Sequence, residues 1–430
     1  MKQKSLKEWL DYWSIVHDGN EIELGLERVN RVKKQMDWKI HQPIVIVGGT
    51  NGKGSVCAFL TSIYTQAGYR VGTLISPHLL HYNERIMING EPVNDEKIIA
   101  SFERIETKRT TVSLTYFEVN VLSAVDIFVH EEVDIIILEV GLGGRLDAVN
   151  IFDADVSVVT NVDLDHQEYL GDTREKIAYE KAGIYRSNRP AVVGEINPDN
   201  ALLGYIDKIN AISLRLGVDY SYECLENQWN FYFKPTYHQY AKERHRFALP
   251  IPTLRGSYQL DNASIALCVI ECLYSKVPVS TGSIKKGLLL VSHPARFQIL
   301  PGRPIVVLDV GHNPHAVKEL RKNFLRLPFA KKKIAVFGIL ADKDIDNILE
   351  ILKDEFDEWY IATLDTNRAL PCVEIEEKLL QNNVKTVKVF NSIAQAYHSA
   401  LKGVSEDDRI VVFGSFFTVA EVIKSFKYSN

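Results

Sequence analysis

The residues best suited to chemistry form a glycine-rich loop near the start of the sequence. Val45–Ser55 reads VIVGGTNGKGS, and helix-like sequence follows over Val56–Ala67. A strand that runs into glycines, a lysine and a hydroxyl at a helix start aims backbone N–H groups at phosphate oxygens. Lys53 is suited to neutralise the charge of β- and γ-phosphates, and Ser55 to ligate Mg²⁺. We therefore predict a nucleotide-phosphate site here.

This loop departs from the common pattern G-x-x-x-x-G-K-[ST]. Val47 stands where the first glycine belongs, and Gly54 separates Lys53 from Ser55. The alternative is a glycine-rich strand–helix turn with a solvated lysine. The flanking strand and helix favour the nucleotide site.

A carboxylate is predicted beside the loop. Glu139 ends the most apolar strand, and GLGGRLD follows at Gly141–Asp147. Parallel-sheet proteins bind ligands at the carboxyl ends of strands, and Mg²⁺ prefers oxygen ligands. Glu139 is thus a candidate metal ligand, and the alternative is a strand-end charge that faces solvent. The glycines fail as a dinucleotide fingerprint because Leu146 replaces the third glycine.

Further polar residues follow neighbouring strands. Asp163, Asp165 and His166 come after the next strand, where His166 is either a metal ligand or proton relay, or a hydrogen-bonded surface or core histidine. Ser76 follows the second strand, where its hydroxyl either faces the metal or caps a helix before Pro77.

Two other strings are less specific. Glu180–Lys181 lies on a helix predicted over Glu175–Ile184, and such a pair is typical of a solvated face, so spacing alone gives no reason to single out Lys181. In the C-terminal part, Asp309 and His312 again place an acid and an imidazole at a strand end. The five cysteines read as ordinary buried residues.

The elements that must position these residues alternate between strands and helices from about residue 40, which predicts a largely parallel sheet covered by helices. The predicted buried strands are Ile44–Val47, Arg70–Leu74, Ile135–Val140, Val156–Thr160 and Ala191–Val193. After them we predict an antiparallel ribbon between Ala211 and Leu249, a helix over Gln259–Tyr274 and turns over Val277–Gly282.

Proline and glycine residues interrupt the pattern over residues 293–304, and a second alternation of strands and helices follows. Its predicted strands are Ile305–Leu308, Ile334–Phe337, Trp359–Ala362, Thr386–Phe390 and Ile410–Phe413. We predict a boundary near residue 292 between domains 1–291 and 292–430, each a doubly wound layer, with a ligand cleft between them.

Composition limits the class of protein. The chain has 430 residues, 46% of them hydrophobic, and a formal net charge of -5. That length suggests two or three domains, and no basic run exceeds Lys331–Lys333, which argues against nucleic acid as a partner. The absence of a long apolar run, a signal sequence or a CxxC pair predicts a cytoplasmic protein without a membrane span.

Taken together, these strings resemble the folylpolyglutamate synthase/dihydrofolate synthase family of the ATP-dependent Mur ligase superfamily. The similar strings are Leu24–Val29, Gly49–Ser55, Ser76–Leu79, Asn83–Ile86, Leu114–Glu118, Glu139–Asp147, Asp165–His166, Glu180–Ile184, Arg296–Ile299 and Asp309–Ala316. Leu114–Glu118 with Leu24–Arg28 is most similar to the bifunctional bacterial branch, which accepts dihydropteroate as well as folates. One departure is Ala295 in Pro294-Ala-Arg296, where Pro-Gly-Arg is frequent.

The resemblance implies an α/β fold, with a P-loop-containing Mur-ligase-like ATPase domain on a mostly parallel sheet and a C-terminal Rossmann-like α/β domain. It also implies a monomeric ligase that uses ATP and one or two Mg²⁺ to add L-glutamate to dihydropteroate and to reduced folates. The substrate carboxylate would attack the γ-phosphate, and the α-amine of glutamate would then attack the resulting acyl phosphate.

The same resemblance implies roles for individual residues. The triphosphate and nucleotide would be held by Gly49, Thr50, Asn51, Gly52, Lys53, Gly54, Ser55, Asn262, Arg296 and Asp309. The metal ligands would be Ser55, Ser76, Glu139, His166 and Lys181, where Lys181 matches the family's carbamylated lysine. The pterin-side pocket would comprise Leu24, Gly25, Leu26, Thr115, Tyr116, Phe117, Glu118, Asp147 and Ala148. The implied catalytic residues are Lys53, Lys181, His166 and His312.

Two other classes of function stay open from the sequence. A P-loop nucleotidase or small-molecule kinase would give a phosphorylated product rather than ADP, phosphate and a new amide, and it leaves the second domain without a task. A nucleotide-binding regulatory module without turnover would need no open metal site, so the acid and histidine at successive strand ends argue against it.

Overall fold

The computed structural model describes residues 4–17, 23–236, 242–256 and 258–426. The chain divides into two compact units. The first comprises Met1–Thr253 and Leu260–Ser292, and the second comprises Leu254–Gln259 and His293–Asn430. A six-residue segment within the first stretch of chain therefore belongs to the second unit.

The first unit is built on an eight-stranded sheet. Its strands are β1 (Ile44–Gly48), β2 (Val71–Leu74), β3 (Ile86–Ile88), β4 (Glu91–Pro92), β5 (Ile135–Glu139), β6 (Val156–Val159), β7 (Pro190–Val193) and β8 (Ile212–Arg215). They lie in the order β4-β3-β2-β5-β1-β6-β7-β8, and only the edge strands β3 and β4 pair antiparallel. Every residue of β1, β5, β6 and β7 is buried, as expected for central parallel strands. The predicted mostly parallel sheet is confirmed.

In the described part of this unit, ten helices pack around the sheet and the ribbon beside it. They are α1 (Leu6–Ile15), α2 (Glu27–Gln35), α3 (Lys53–Gln66), α4 (Asp95–Arg109), α5 (Tyr116–His130), α6 (Gln167–Leu170), α7 (Arg174–Ala182), α8 (Asn200–Lys208), α9 (Tyr258–Cys272) and α10 (Thr281–Leu290). The sequence pattern did not predict α10, because Ser280 is typical of a turn. It is in fact the N-cap of the helix, and its hydroxyl accepts the Ser283 amide.

An antiparallel ribbon of three strands follows the sheet. Its strands are β9 (Tyr220–Cys224), β10 (Gln228–Phe233) and β11 (Arg244–Pro250), in the order β11-β10-β9. The predicted ribbon is therefore present, but its predicted start at Ala211 was wrong, since β8 pairs parallel to β7. Residues of β8 alternate between buried and half-buried, a pattern that fits a sheet edge in either direction.

The described residues of the second unit form a six-stranded sheet and five helices. Its strands are β12 (Gln298–Ile299), β13 (Ile305–Leu308), β14 (Lys333–Phe337), β15 (Glu358–Ile361), β16 (Val387–Val389) and β17 (Arg409–Phe413). Its helices are α11 (Pro314–Phe324), α12 (Ile345–Leu352), α13 (Cys372–Gln381), α14 (Ile393–Lys402) and α15 (Phe416–Phe426). The order is β12-β13-β17-β14-β15-β16, parallel except for β12. All five predicted strands are found, and the two-unit α/β fold is confirmed.

Among the residues that the structure describes, no helix is both long and apolar enough to cross a membrane.

Candidate active site

The loop between β1 and α3, which we call the phosphate loop (Gly49–Gly54), has two glycines in left-handed conformations. Gly49 has a φ of 139° and Gly52, the N-cap of α3, a φ of 87°. A Cβ on Gly49 would lie 1.8 Å from Thr160 Oγ1, and one on Gly52 would lie 2.6 Å from Asn262 Oδ1. Both positions therefore require glycine for space as well as for backbone conformation.

Residues after the neighbouring strand β6 hold the phosphate loop in place. The Thr50 amide donates to the Asn161 carbonyl at 2.9 Å, and the Asn51 amide donates to Asn161 Oδ1 at 2.8 Å. Thr160 Oγ1 donates to the Asn51 carbonyl at 2.6 Å. Neither Thr160 nor Asn161 was predicted as a site residue, although Thr160 ends a predicted strand and Asn161 follows it. Their bonds fix the loop before any ligand arrives, which favours a preorganised site.

Two lysines converge on this loop. Lys53 Nζ donates to the carbonyls of Gly49 and Thr50 at 3.1 and 3.2 Å, and Lys181 Nζ donates to the Gly49 carbonyl at 3.0 Å. Lys181 is 4% exposed, so the interpretation of Glu180–Lys181 as a solvated face was wrong for the lysine. Burial, together with the nearby Lys53 charge, lowers the pKa of Lys181 to about 7.

Glu139 lies beside the phosphate loop. It is the last residue of β5, directly opposite Val47 of β1 in the parallel pair. The carboxylate is 4% exposed and accepts the Ser76 amide on Oε2 at 2.9 Å. A solvent-facing Glu139 is therefore excluded, and no helix begins at Ser76 or Pro77, so the helix-cap alternative for Ser76 was wrong as well.

The loop after β6 carries His166 and ends near the phosphate loop. Thr50 Oγ1 accepts the Asp163 amide at 2.9 Å, which joins the two loops. His166 has a left-handed φ of 51°, its side chain is 33% exposed, and its Nε2 lies 4.0 Å from Asp165 Oδ1. His166 is thus a partly exposed imidazole on the loop that neighbours Thr50.

The donors fit a hard cation bound together with phosphate. Glu139 supplies a buried carboxylate, Ser55 a hydroxyl that is 2% exposed at the start of α3, and His166 an accessible imidazole. The described residues contain no group of three or more His, Cys, Asp or Glu that could hold a metal ion by itself. Phosphate oxygens and waters would therefore have to complete the coordination, as is usual for Mg²⁺.

The glycine run after β5 supports the helix that carries Lys181. A Cβ on Gly144 would lie 2.9 Å from the carbonyls of both Glu180 and Lys181, so the loop and α7 are in close contact. Arg145 forms an ion pair with Glu180 at 2.9 Å. These residues were not predicted to bind ligands, and their contacts indicate that they position Lys181.

The residues expected at the pterin-side pocket lie together within the first unit. The Gly25 amide donates to the Leu146 carbonyl at 3.3 Å, which joins the Leu24–Leu26 segment to the Asp147 turn. Arg28 forms an ion pair at 3.3 Å with Glu118, which is 2% exposed and whose side chain accepts the Thr115 amide. Burial raises the pKa of the Glu118 carboxyl, against the opposing effect of these partners.

The same region contacts the strand that ends in Glu139. A Cβ on Gly141 would lie 2.6 Å from the Phe117 ring, so Gly141 allows that ring to lie against the turn after β5. Asp147 accepts the Leu142 and Val149 amides at 2.8 and 3.0 Å. Burial raises the pKa of Asp147 to about 6.

In the second unit, three predicted residues form a separate cluster. Asp309 follows β13 and accepts the amides of Phe297 and Gly311 at 2.8 and 2.7 Å. The Arg296 guanidinium lies 5.0 Å from the centre of the Phe416 ring. The centres of the His312 and Phe416 rings lie 6.3 Å apart. Asn262, also predicted to contact the nucleotide, belongs to the first unit, where it lies against Gly52.

Of the five cysteines, only Cys57 and Cys268 are buried, and Cys224 is exposed. Cys224 is the last residue of β9, an edge strand of the ribbon. The interpretation of all five as buried residues was therefore wrong.

Two family models match the chain. The Mur ligase middle domain matches residues 47–270, and the Mur ligase glutamate ligase domain matches residues 295–416. The dihydrofolate synthase/folylpolyglutamate synthase of Escherichia coli K12 is 40% identical over 422 residues, which cover 97% of this chain and 95% of that protein.

Solved structures of proteins with these names also resemble this chain over nearly its full length. The structure of E. coli FolC in complex with DHPP and ADP has a TM-score of 0.91 at 39% identity, and the match covers 99% of this chain and 98% of that one. A bifunctional folylpolyglutamate synthase/dihydrofolate synthase with Mn, AMPPNP and L-glutamate bound has a TM-score of 0.88 at 38% identity, with the same coverage.

Proposed function

Since the chain belongs to the dihydrofolate synthase/folylpolyglutamate synthase family of Mur ligases, we propose that it uses ATP to join L-glutamate to dihydropteroate and to reduced folates. The observation that carries this proposal is the preformed phosphate loop, with Lys53 at its end and Glu139 on the adjoining strand. A loop fixed in this way suits phosphoryl transfer, which depends on positioning and charge neutralisation more than on covalent help.

Lys53 activates the γ-phosphate in this proposal. Its ammonium now donates to loop carbonyls, and it would move to the triphosphate oxygens as the amides in the first turn of α3, Lys53–Ser55, surround them. The substrate carboxylate then attacks the γ-phosphorus, ADP leaves, and an acyl phosphate forms. The α-amine of glutamate attacks the acyl carbon, loses a proton and expels phosphate, so an amide results.

The proposed metal ligands are Ser55, Ser76, Glu139 and His166, with Lys181 for a second ion. A bound divalent cation supplies charge neutralisation to the phosphate oxygens. The neutral amine of Lys181 is the form that combines with CO₂ to give an anionic carbamate, and its burial beside Gly49 favours that neutral form.

The remaining assignments follow the placement of the residues. We propose that the segment Leu24–Leu26, Thr115–Glu118 and the turn Asp147–Ala148 contact the pteridine. Arg296, Asp309 and His312 would act on the nucleotide and glutamate side, from the domain 292–430. We further propose that the protein is cytoplasmic and works as a monomer.

One assay tests the function. Purified protein is given ATP, Mg²⁺ and L-glutamate with either dihydropteroate or tetrahydrofolate, and ADP release and the amide product are measured together. We expect both acceptors to yield one new amide for each ADP. ADP release that needs neither acceptor, or a product that retains phosphate, would instead indicate the nucleotidase or kinase.

The variant Lys53→Ala tests whether the phosphate loop is needed for activity while the fold is kept. We expect ligation to fall at least about 100-fold with an unchanged melting temperature, because an electrostatic contact to the transferred phosphoryl group is lost. Lys176→Ala is the matched control, since that exposed lysine pairs with Asp172 on the surface. Retained turnover in Lys53→Ala contradicts the role of the loop.

A further inference from the structure

Arg85 is a half-buried arginine that the assigned roles leave unused. It precedes β3, and its carbonyl accepts the Ile75 amide at 2.9 Å, immediately before Ser76. Ser76 in turn donates its amide to Glu139. The backbone of Arg85 is therefore attached to the strand end that leads to the proposed metal ligands.

The side chain of Arg85 extends toward the pterin-side residues. Its guanidinium carbon lies 5.7 Å from the centre of the Tyr116 ring and 5.8 Å from that of Tyr82. Its Nε–H donates to His78 Nδ1 at 2.7 Å. The guanidinium thus lies beside Tyr116 of the pterin-side residues, while the Arg85 backbone is bonded to the segment that leads to Ser76.

The loop that carries Arg85 is rigidly held. Glu84 accepts the amides of Leu79, Leu80 and His81 at 2.7 to 2.9 Å. Asn83 Nδ2 donates to the Val93 carbonyl at 2.8 Å. With the loop and the Nε–H both fixed, the two terminal NH₂ groups of Arg85 point in a set direction, and such a fork matches a carboxylate.

We propose that Arg85 binds the carboxylate of the acceptor substrate, the group that attacks ATP. This inference rests on the proposed function. The pteridine would contact the Tyr116 side, and Arg85 would hold the carboxylate toward Glu139 and the phosphate loop. His78 is then a positioning residue, because it acts only by orienting the guanidinium.

The test compares the affinities of two ligands for wild type and for a variant of Arg85. Dissociation constants are measured for dihydropteroate and for its carboxamide, in wild type and in Arg85→Met, which preserves much of the apolar stem. We expect wild type to prefer the carboxylate by about 10- to 100-fold, as for a hydrogen bond to a charged group, and Arg85→Met to lose that preference. Arg85→Lys should retain part of it.

Arg70→Met is the matched control. Arg70 pairs with Glu131 at the opposite end of β2, so its loss should leave the preference unchanged. An equal preference in wild type and Arg85→Met overturns the inference, and so does weaker binding of both ligands by the same factor, which would indicate stacking on the pteridine. If wild type ligates neither acceptor, the proposed function fails instead.

Discussion

Two loops in the molecule carry a positively charged side chain next to residues with positive φ angles. The residues that adopt those angles differ in type between the two loops. The phosphate loop presents Lys53 and crosses left-handed conformations at Gly49 and Gly52. The loop Ala295–Gln298, which we call the arginine loop, presents Arg296 and crosses φ values of 60° at Ala295 and 45° at Phe297. Glycine is therefore not required by backbone conformation alone.

The difference lies in what surrounds each Cβ position. The phosphate loop is pressed against Thr160 and Asn262, so a side chain there would overlap its neighbours. In the arginine loop the side chains of Ala295 and Phe297 are buried, and the Phe297 amide donates to Asp309. Burial and hydrogen bonds offset a left-handed cost of about 1–2 kcal/mol per residue. Close approach therefore adds to the need for glycine in the phosphate loop, whereas the left-handed φ values of the arginine loop do not by themselves require it.

Gly49→Ala should have the largest effect. The new Cβ would overlap Thr160 Oγ1, so strain and overpacking together should reduce the free energy of unfolding by roughly 2–6 kcal/mol and abolish ATP binding. Calorimetric titration with a non-hydrolysable ATP analogue and urea unfolding measure both quantities. Gly68→Ala is the control, because Gly68 has a φ of 92° but no atom within 4 Å of its Cβ position. Equal losses in the two variants would show that conformation, not space, decides.

Lowering the pH should reduce the stability of the second unit around the arginine loop, by less than the change expected for Gly49→Ala. Burial, aided by Arg296, lowers the pKa of His293 to about 3 from 6.5, so the unfolded chain binds a proton near pH 6 that the folded chain does not. Stability is therefore lost as pH falls below 6.5. From pH 7.5 to 5.5 this histidine should reduce the free energy of unfolding by about 1 kcal/mol, and His293→Leu should remove that part of the decline.

The measurement can be made specific to the second unit. Trp359 is buried there, while the other four tryptophans precede residue 254. Incorporated 5-fluorotryptophan gives Trp359 its own ¹⁹F resonance, whose urea midpoint is followed at each pH. A parallel decline in wild type and His293→Leu would refute the role of this histidine.

Ala295→Gly should have the smallest effect. Relief of the left-handed strain is worth about 1 kcal/mol, and it is opposed by the loss of a buried methyl group and by a more flexible unfolded chain. We expect the free energy of unfolding to change by less than about 1 kcal/mol and the KM for ATP to change less than twofold. A loss above 2 kcal/mol would show that the Ala295 methyl group holds the arginine loop.

The sequence was most informative where local pattern and burial agree. β1, β5 and β6 are mostly apolar and fully buried, and their ends matched the prediction within one residue. The phosphate loop was also predictable, since its glycines, lysine and serine are adjacent in sequence.

Other features depend on contacts between distant residues. Lys181 is buried because it reaches Gly49, which lies 132 residues earlier, and no local spacing signals that contact. The direction of β8 depends on its pairing with β7, and alternation cannot specify it. The interaction between Arg85 and His78 likewise arises from the path of a loop rather than from a recognisable motif.

The segment Leu254–Gln259 has a consequence for the exchange of domains between relatives. It packs within the second unit, where a Cβ on Gly256 would lie 2.9 Å from Asn323 Nδ2. Burial and the Asp309 charge raise the pKa of Tyr258, and the Arg296 charge opposes that rise. A chimera joined at residue 292 would therefore pair this segment with a foreign domain. A hybrid that takes residues 254–259 from the same relative as the second domain would keep these contacts between residues of one protein.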